Sequence, residues 1–171
     1  MRFKNMYMKE ETQLPKIYCD MDGVLTNWNK EFEKLGHGTA KYYEKKNGKN
    51  SYWKLIADKG EDFWSKMEWM KDGKQLWKFI EQFKPTILTS PTRDVNGHNS
   101  CISGKKKWLK RELPSVPYII EHDKDKYANE NAILIDDYTE KINKWKGKGG
   151  TGILHTSADK TINTLKKMGF K

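Results

Sequence analysis

Cysteine is almost missing from this chain of 171 residues, which holds only Cys19 and Cys101. Two thiols at that spacing make neither a disulfide framework nor a zinc site, so the fold must rest on packing, and a reducing compartment is the expected setting. Histidine is nearly as sparse: His37, His98, His122 and His155 are scattered without metal-ligand spacing. No apolar run approaches the ~20 residues that cross a bilayer. The opening stretch Met1–Gln13 is too polar for a signal peptide. The expectation is a soluble, cytoplasmic protein with no membrane partner. Acids are the minority charge, 23 against 33 basic residues, for a net charge of +10. That excess draws polyanions or phosphorylated substrates by long-range attraction. The lysines are spread through every predicted helix, so solvated faces account for most of them, and a nucleic-acid groove is not the favoured reading.

What the chain does have is aromatic mass. Its hydrophobic fraction is only 36%, but seven Trp, eight Tyr and six Phe let few positions build a core. The length suits one compact domain with a small insertion. Five short aliphatic runs, Lys16–Met21, Thr86–Thr89, Pro117–Glu121, Ala132–Asp136 and Thr151–His155, read as strands buried on both faces. Between them lie helical stretches with start and stop signals. Asp72 with Gln75 forms a capping-box pattern before a helix from about Gly73 to Phe83. Ser103 is a candidate cap for a helix ending near Glu112, with Cys101 in the loop before it. Thr139 and Ser157 are candidate caps for the last two helices, and Gly147 and Gly169 mark their ends. The run 147–150 reads as a mobile connector. This alternation predicts an α/β fold: a Rossmann-like, open, mostly parallel sheet of about five strands flanked by helices.

Residues 27–71 break the alternation. They contain no convincing strand but many rings, Trp28, Phe32, Tyr42, Tyr43, Tyr52, Trp53, Phe63, Trp64 and Trp69 among them. The reading is a small helical cap inserted after the first strand and folded over the strand ends, with residues 1–26 and 72–171 forming the α/β core. Most of these rings are expected to pack the cap; an exposed aromatic cap is also compatible with a homodimer.

The chemistry-bearing residues collect at strand ends. Asp20-x-Asp22-Gly23 closes the first strand, with both carboxylates on one side of an extended backbone and a turn at Gly23. Two acids that close need a cation, a shared proton or full solvation. The second strand ends in Thr89-Ser90-Pro91, the fourth in Asp136-Asp137, and the helix after the second strand carries Lys105-Lys106-Lys107. In open α/β sheets ligands bind beyond the carboxyl ends of the strands. Carboxylates, hydroxyls and lysines gathered there can hold Mg²⁺ and a phosphate side by side.

With those motifs the sequence resembles the haloacid-dehalogenase-like phosphohydrolases, and more closely their 5′(3′)-deoxyribonucleotidase branch, including phage and bacterial members. The resemblance rests, in order, on Asp20-Met-Asp22-Gly-Val-Leu, Ile87-Leu-Thr89-Ser90-Pro91, Lys105 three residues before Trp108, and Ile133-Leu-Ile-Asp136-Asp137. Phe63-Trp-x-x-Met67 followed by Asp72-Gly-Lys adds to it, and the match spans roughly residues 16–145. It implies Mg²⁺-dependent hydrolysis of (deoxy)ribonucleoside monophosphates through an aspartyl-phosphate. Asp20 would be the nucleophile and Asp22 the general acid and base. The metal ligands would be Asp20, the Asp22 main-chain carbonyl and Asp136, with Asp137 orienting Asp136 or a metal water. Thr89 and Ser90 would hold phosphate. Helical spacing favours Lys105 over Lys106 as the lysine that neutralises nucleophile and phosphate, because it shares a face with Trp108 and Leu109. Cap rings, Trp28 first, then Trp53 and Trp64, would stack the base. Asn27 departs from the pattern at a position where Asp often stands, which bears on cap docking more than on catalysis. His98 and Arg93 lie near the phosphate motif, with surface roles as the competing reading. Two alternatives remain open: a 3′-phosphatase acting on nucleic-acid ends, and a non-catalytic binding protein on the same fold.

Overall fold

The computed structural model describes residues 13–171; the polar stretch Met1–Thr12 lies outside the described residues. Five strands, β1 (Lys16–Cys19), β2 (Thr86–Thr89), β3 (Tyr118–Ile120), β4 (Ala132–Asp136) and β5 (Thr151–Leu154), form one all-parallel sheet in the order β3-β2-β1-β4-β5. Every residue of β2 and β4 is buried, whereas the edge strands β3 and β5 are only partly covered. That difference matches continuous apolar runs in the middle of a sheet covered on both sides. Side chains alternate between the faces. Ile17, Cys19, Ile87, Ile133 and Ile135 enter one core, while Tyr18, Leu88 and Leu134 enter the other.

Helices α1 (Trp28–Glu33), α2 (Ala40–Asn47), α3 (Lys49–Lys59) and α4 (Glu61–Ser65) fill the long interval after β1. Helices α5 (Gly73–Ile80), α6 (His98–Glu112) and α8 (Ala158–Lys167) bury Leu76, Trp108 and Leu165 in the larger core. Helix α7 (Thr139–Gly147) buries Ile142 and Trp145 against the opposite face. Asn27 caps α1: its Oδ1 accepts from Lys30 N at 3.1 Å, and its own N–H donates to Glu68 O. Asn serves that cap about as well as Asp.

Several local expectations are corrected. Ser103 lies inside α6, which begins five residues earlier at His98, so Cys101 is a buried helical residue and not a loop residue. The earlier start follows from the preceding loop, where Asp94 Oδ2 accepts from Gly97 N at 2.9 Å and Thr92 Oγ1 accepts from Asp94 N at 3.1 Å. Asp72 makes no side-chain cap on α5. It reaches across to α8, accepting from Ala158 N at 2.6 Å, while Gln75 donates to Asp159 at 2.6 Å. The local capping pattern thus joins two distant helix starts. Thr139 is the first residue of α7 and not its cap. Ser157 does cap α8, accepting from Lys160 N. The glycines after α7 form a hydrogen-bonded turn, with Gly149 N donating to Lys146 O and Gly150 N to Trp145 O.

Replacing Asp72 with Ala should cost about 1 kcal/mol, the usual loss for an N-terminal cap. Hydrogen exchange should quicken at the Ala158 amide and leave the start of α5 unchanged. The reverse pattern would place the cap on α5.

Candidate active site

The chain runs outward from β1 to β2 and β3, then returns to lay β4 on the other side of β1. Adjacent strands whose connections leave in opposite directions open a crevice at their carboxyl ends. Asp20 and Asp136 sit there. Asp136 is the last residue of β4 and has no exposed surface, and Asp20, one residue past β1, donates its N–H to Ile135 O at 2.9 Å. Carboxylate oxygens of Asp20, Asp136 and Asp137 all lie within 4.8 Å of one another.

The turn after Asp20 makes room for this crowd. Gly23 adopts φ +80°, and a Cβ at that position would stand 2.0 Å from Asp137 Oδ2. Only glycine supplies both the left-handed backbone and the missing side chain. Met21 O accepts from Val24, Leu25 and Thr26, which closes the loop tightly. Among the described residues no backbone N–H donates to the Asp22 carbonyl, which leaves it available as a ligand.

Two buried lysines stand against the acids. Lys105 Nζ donates to Asp22 Oδ2 at 2.6 Å, to Thr89 Oγ1 at 2.8 Å and to Ser90 O at 2.7 Å. Thr26 Oγ1 holds the other Asp22 oxygen at 2.9 Å. Lys124 Nζ lies 2.6 Å from Asp136 Oδ2 and 2.8 Å from Asp20 Oδ1. Apart from this Lys124 ion pair, Asp20 Oδ1 is a buried acceptor that no donor among the described residues reaches. Burial opposes the charge on each lysine, but the adjacent carboxylates outweigh it and raise both pKa values.

The lysine against the predicted nucleophile is therefore Lys124, not Lys105. Lys105 does share the buried face of α6 with Trp108 and Leu109, as its spacing implied. That face, however, lies beside β2 and Asp22. Lys105 and Thr89 are both fully covered and do not line the open cavity, whereas Ser90 does, its hydroxyl donating to Glu121 O at 3.1 Å. Lys124 follows β3 in a short 3₁₀ turn, Lys124–Tyr127. Applying the strand-end rule to the third strand as well as to the others points to residues 121–126. Thr26 carried no motif signal; its role appears only where the turn folds it back onto Asp22.

Burial, and then the Asp20 charge, push the Asp136 carboxyl up to about 6 despite the Lys124 contact. Asp137 is exposed as a residue, but its carboxylate packs against Gly23. Desolvation and then Asp20 and Asp136 push it up to about 7. A buried Asp20 oxygen met only by the Lys124 ammonium among the described residues, mutually repelling acids within 4.8 Å and a main-chain carbonyl that no described backbone N–H reaches together fit a hard divalent cation such as Mg²⁺. Asp20, Asp136 and the Asp22 carbonyl are the residues that would hold it, with Asp137 beside them.

Above the acids opens a cavity of about 720 Å³, which Asp20, Asp22, Lys124, Asp136 and Asp137 reach from below. Aromatic residues also line it: Trp28, Tyr52, Trp53 and Trp64. Trp28 is stacked on Phe32 and meets the edge of Phe63, each with centroids 5.7 Å apart. Trp53 stands edge-on to Tyr52 at 4.9 Å. Trp64 is only 3% exposed and its ring lies 5.4 Å from Lys105 Nζ, so it forms the floor more than the wall. Tyr52 was not among the predicted substrate residues. His98 opens α6, its Nδ1 within 2.9 Å of Thr92 O, and Arg93 is exposed.

This chain matches no protein-family model and no curated protein. Solved structures do share its fold. A hydrolase from Streptococcus pneumoniae TIGR4 superposes with a TM-score of 0.54 at 12% identity, covering 90% of this chain and 98% of that one. The L-2-haloacid dehalogenase of Xanthobacter autotrophicus gives 0.52 at 10% identity, covering 93% and 85%. The chain thus has the haloacid-dehalogenase fold.

Two predictions follow from the geometry. Asp136 and Asp137 titrate higher in the fold than in the unfolded chain, whose carboxylates keep the ordinary value near 3.8. Their contribution to stability is present below about pH 4 and is lost as pH rises through about 6 and 7. Mg²⁺ binds the ionised forms, so its stabilisation should grow over that same interval. Thermal melts with and without Mg²⁺ at pH 5 and pH 8 should show a much larger shift at pH 8; equal shifts would exclude these carboxylates as ligands. Separately, Gly23→Ala should displace Asp137 and weaken Mg²⁺ binding at least tenfold by calorimetry. Unchanged affinity would mean that Asp137 contributes nothing to the ion.

Proposed function

We propose that this chain is a haloacid-dehalogenase-like phosphohydrolase: a Mg²⁺-dependent phosphomonoesterase acting on (deoxy)ribonucleoside monophosphates. The observation that carries the reading is Asp20, set at the floor of a ring-lined cavity between a buried lysine and two further carboxylates. A carboxylate attacks a phosphate dianion only where positive charge lies between them, and Lys124 supplies part of it. Mg²⁺, when bound, would add charge neutralisation and hold a phosphate oxygen.

The residues then divide the work. An Asp20 oxygen forms a bond to phosphorus as the ester P–O bond breaks, leaving an aspartyl-phosphate. Asp22, which must take up a proton before the ester breaks, gives it to the leaving alkoxide, and its carboxylate later removes one from the water that attacks phosphorus and regenerates Asp20. Lys105 and Thr26 each hold one Asp22 oxygen and so set the direction from which the acid meets the ester. Ser90 lines the phosphate end of the cavity. Trp28, Tyr52 and Trp53 offer flat faces for a base, worth about 1–3 kcal/mol per stacked ring. In this reading residues 27–71 are the specificity cap over a core of residues 1–26 and 72–171.

A second reading, a 3′-phosphatase on nucleic-acid ends, draws on the net charge of +10. Phosphate release should be measured with Mg²⁺ across 5′- and 3′-mononucleotides and 3′-phosphorylated oligonucleotides. Turnover of mononucleotides, lost at least 10³-fold in Asp20→Asn, is the expected result. Turnover of oligonucleotides alone would favour the second reading, and full activity of Asp20→Asn would remove the nucleophile assignment. Lys124→Met should reduce kcat by 10²-fold or more, while Lys105→Met should both lower kcat and destabilise the fold by about 3–5 kcal/mol, as expected when one partner of a buried pair is removed.

A further inference from the structure

Beside the carboxylates, one wall of the cavity carries positive charge that the protein does not neutralise. Lys141, in the first turn of α7, lines the cavity, and its ammonium donates to the His122 carbonyl. Among the described residues no carboxylate lies within 4.0 Å of Lys141 or of Arg93. The nearby acids are engaged elsewhere: Glu140 with Lys144 at 2.9 Å, Glu121 with Lys126 at 3.2 Å, and Asp136 with Lys124 at 2.6 Å. Thr92 also lines the cavity and its carbonyl meets His98; Arg93, next in the chain, is exposed beside that lining residue and does not itself line the cavity. The His98 and His122 rings lie 6.4 Å apart.

These groups feel one another. Burial lowers the Lys141 pKa, and Lys124, Arg93 and Lys144 lower it further against the opposing pull of Asp136. Burial lowers His122 as well, followed by Arg93, Lys141 and His98. Like charges held together at a cavity wall repel unless an anion lies among them. The Asp20 end of the cavity already has Lys124 for the scissile phosphate. The Lys141–Arg93 rim is built on different elements, α7 and the β2–α6 loop.

We propose that this rim is a second anion subsite, and that the preferred substrate carries a second phosphate separated from the scissile one by the sugar. A nucleoside bisphosphate meets that description, and so does the terminal residue of an oligonucleotide, whose next phosphodiester offers the same charge. The inference rests on the phosphohydrolase reading and names its substrate class.

Binding and turnover test it separately. With Mg²⁺ and the full chain, kcat/KM is compared for a 5′-mononucleotide, the 3′,5′-bisphosphate of the same nucleoside and a 5′-phosphorylated dinucleotide. Calorimetry on Asp20→Asn measures affinity for the same three without turnover. The second phosphate should improve both quantities at least tenfold. Arg93→Gln and Lys141→Gln, each introduced into wild type and into Asp20→Asn, should remove most of that gain. A gain confined to the bisphosphate or to the dinucleotide identifies which source the rim takes. Equal affinity of Asp20→Asn for mono- and bisphosphate overturns the proposal. So does a Lys141→Gln variant that weakens both ligands by the same factor, because Lys141 would then serve the scissile phosphate. If nothing is hydrolysed but the bisphosphate still binds tenfold tighter, the subsite stands and the phosphatase reading fails.

Discussion

Asp20 and Asp136 repel each other across the carboxyl ends of two adjacent strands, and much of the surrounding chain answers that repulsion. Parallel pairing of β1 with β4 places the two residues side by side. Asp137 adds a third carboxylate and Asp22 a fourth. Left to themselves, four acids at a partly desolvated strand end would destabilise the fold. Two buried ammonium groups prevent this, Lys124 between Asp20 and Asp136 and Lys105 on Asp22. A buried ion pair adds little to net stability, because desolvation opposes its attraction, but it fixes where each charge sits. Here it holds Asp20 and Asp22, the proposed nucleophile and acid, in separate, defined positions.

The same crowding explains the glycine. Gly23 is needed because Asp137 occupies the space where a side chain would be. Once the chain has turned there, Asn27 caps α1, and the following helices carry Trp28, Tyr52 and Trp53 over the acids. Helices α1–α3 are held largely by ring-on-ring packing: the Phe32 ring centroid lies within 6 Å of those of Trp28, Tyr43 and Tyr52. Most of the aromatic mass is thus structural, and a few faces remain turned to the cavity. A cavity lined by both charged groups and aromatic rings suits a ligand with an anionic part and a flat part.

Much of this was legible in the chain itself. The five strands appear where aliphatic runs predicted them, because a strand covered on both faces must be apolar at every position, and that pattern is local. Asp20, Asp22, Ser90, Asp136 and Asp137 were recoverable because each lies at or just past the carboxyl end of a strand, and all five reach one cavity. Local patterns misled where a side chain had a distant option. Asp72 looks like a cap for the helix beside it but meets Ala158. Ser103 looks like a helix start but lies within α6, because Asp94 and Gly97 shape an earlier one.

Alternation of apolar runs and helix signals thus pointed to an open parallel α/β sheet with acids at the carboxyl ends of its strands, since those signals depend on neighbours a few residues away. Which lysine faces which acid was decided only by the tertiary structure. Lys105 and Lys124 both sit near strand ends, and spacing along a helix says which face a residue takes but not what that face meets. The strand order β3-β2-β1-β4-β5 settles the matter: it sets α6 beside β2 and Asp22, while the turn after β3 brings Lys124 back over β1 and β4. Charge pairing at the centre of this protein is a property of strand order, which no short stretch of sequence contains.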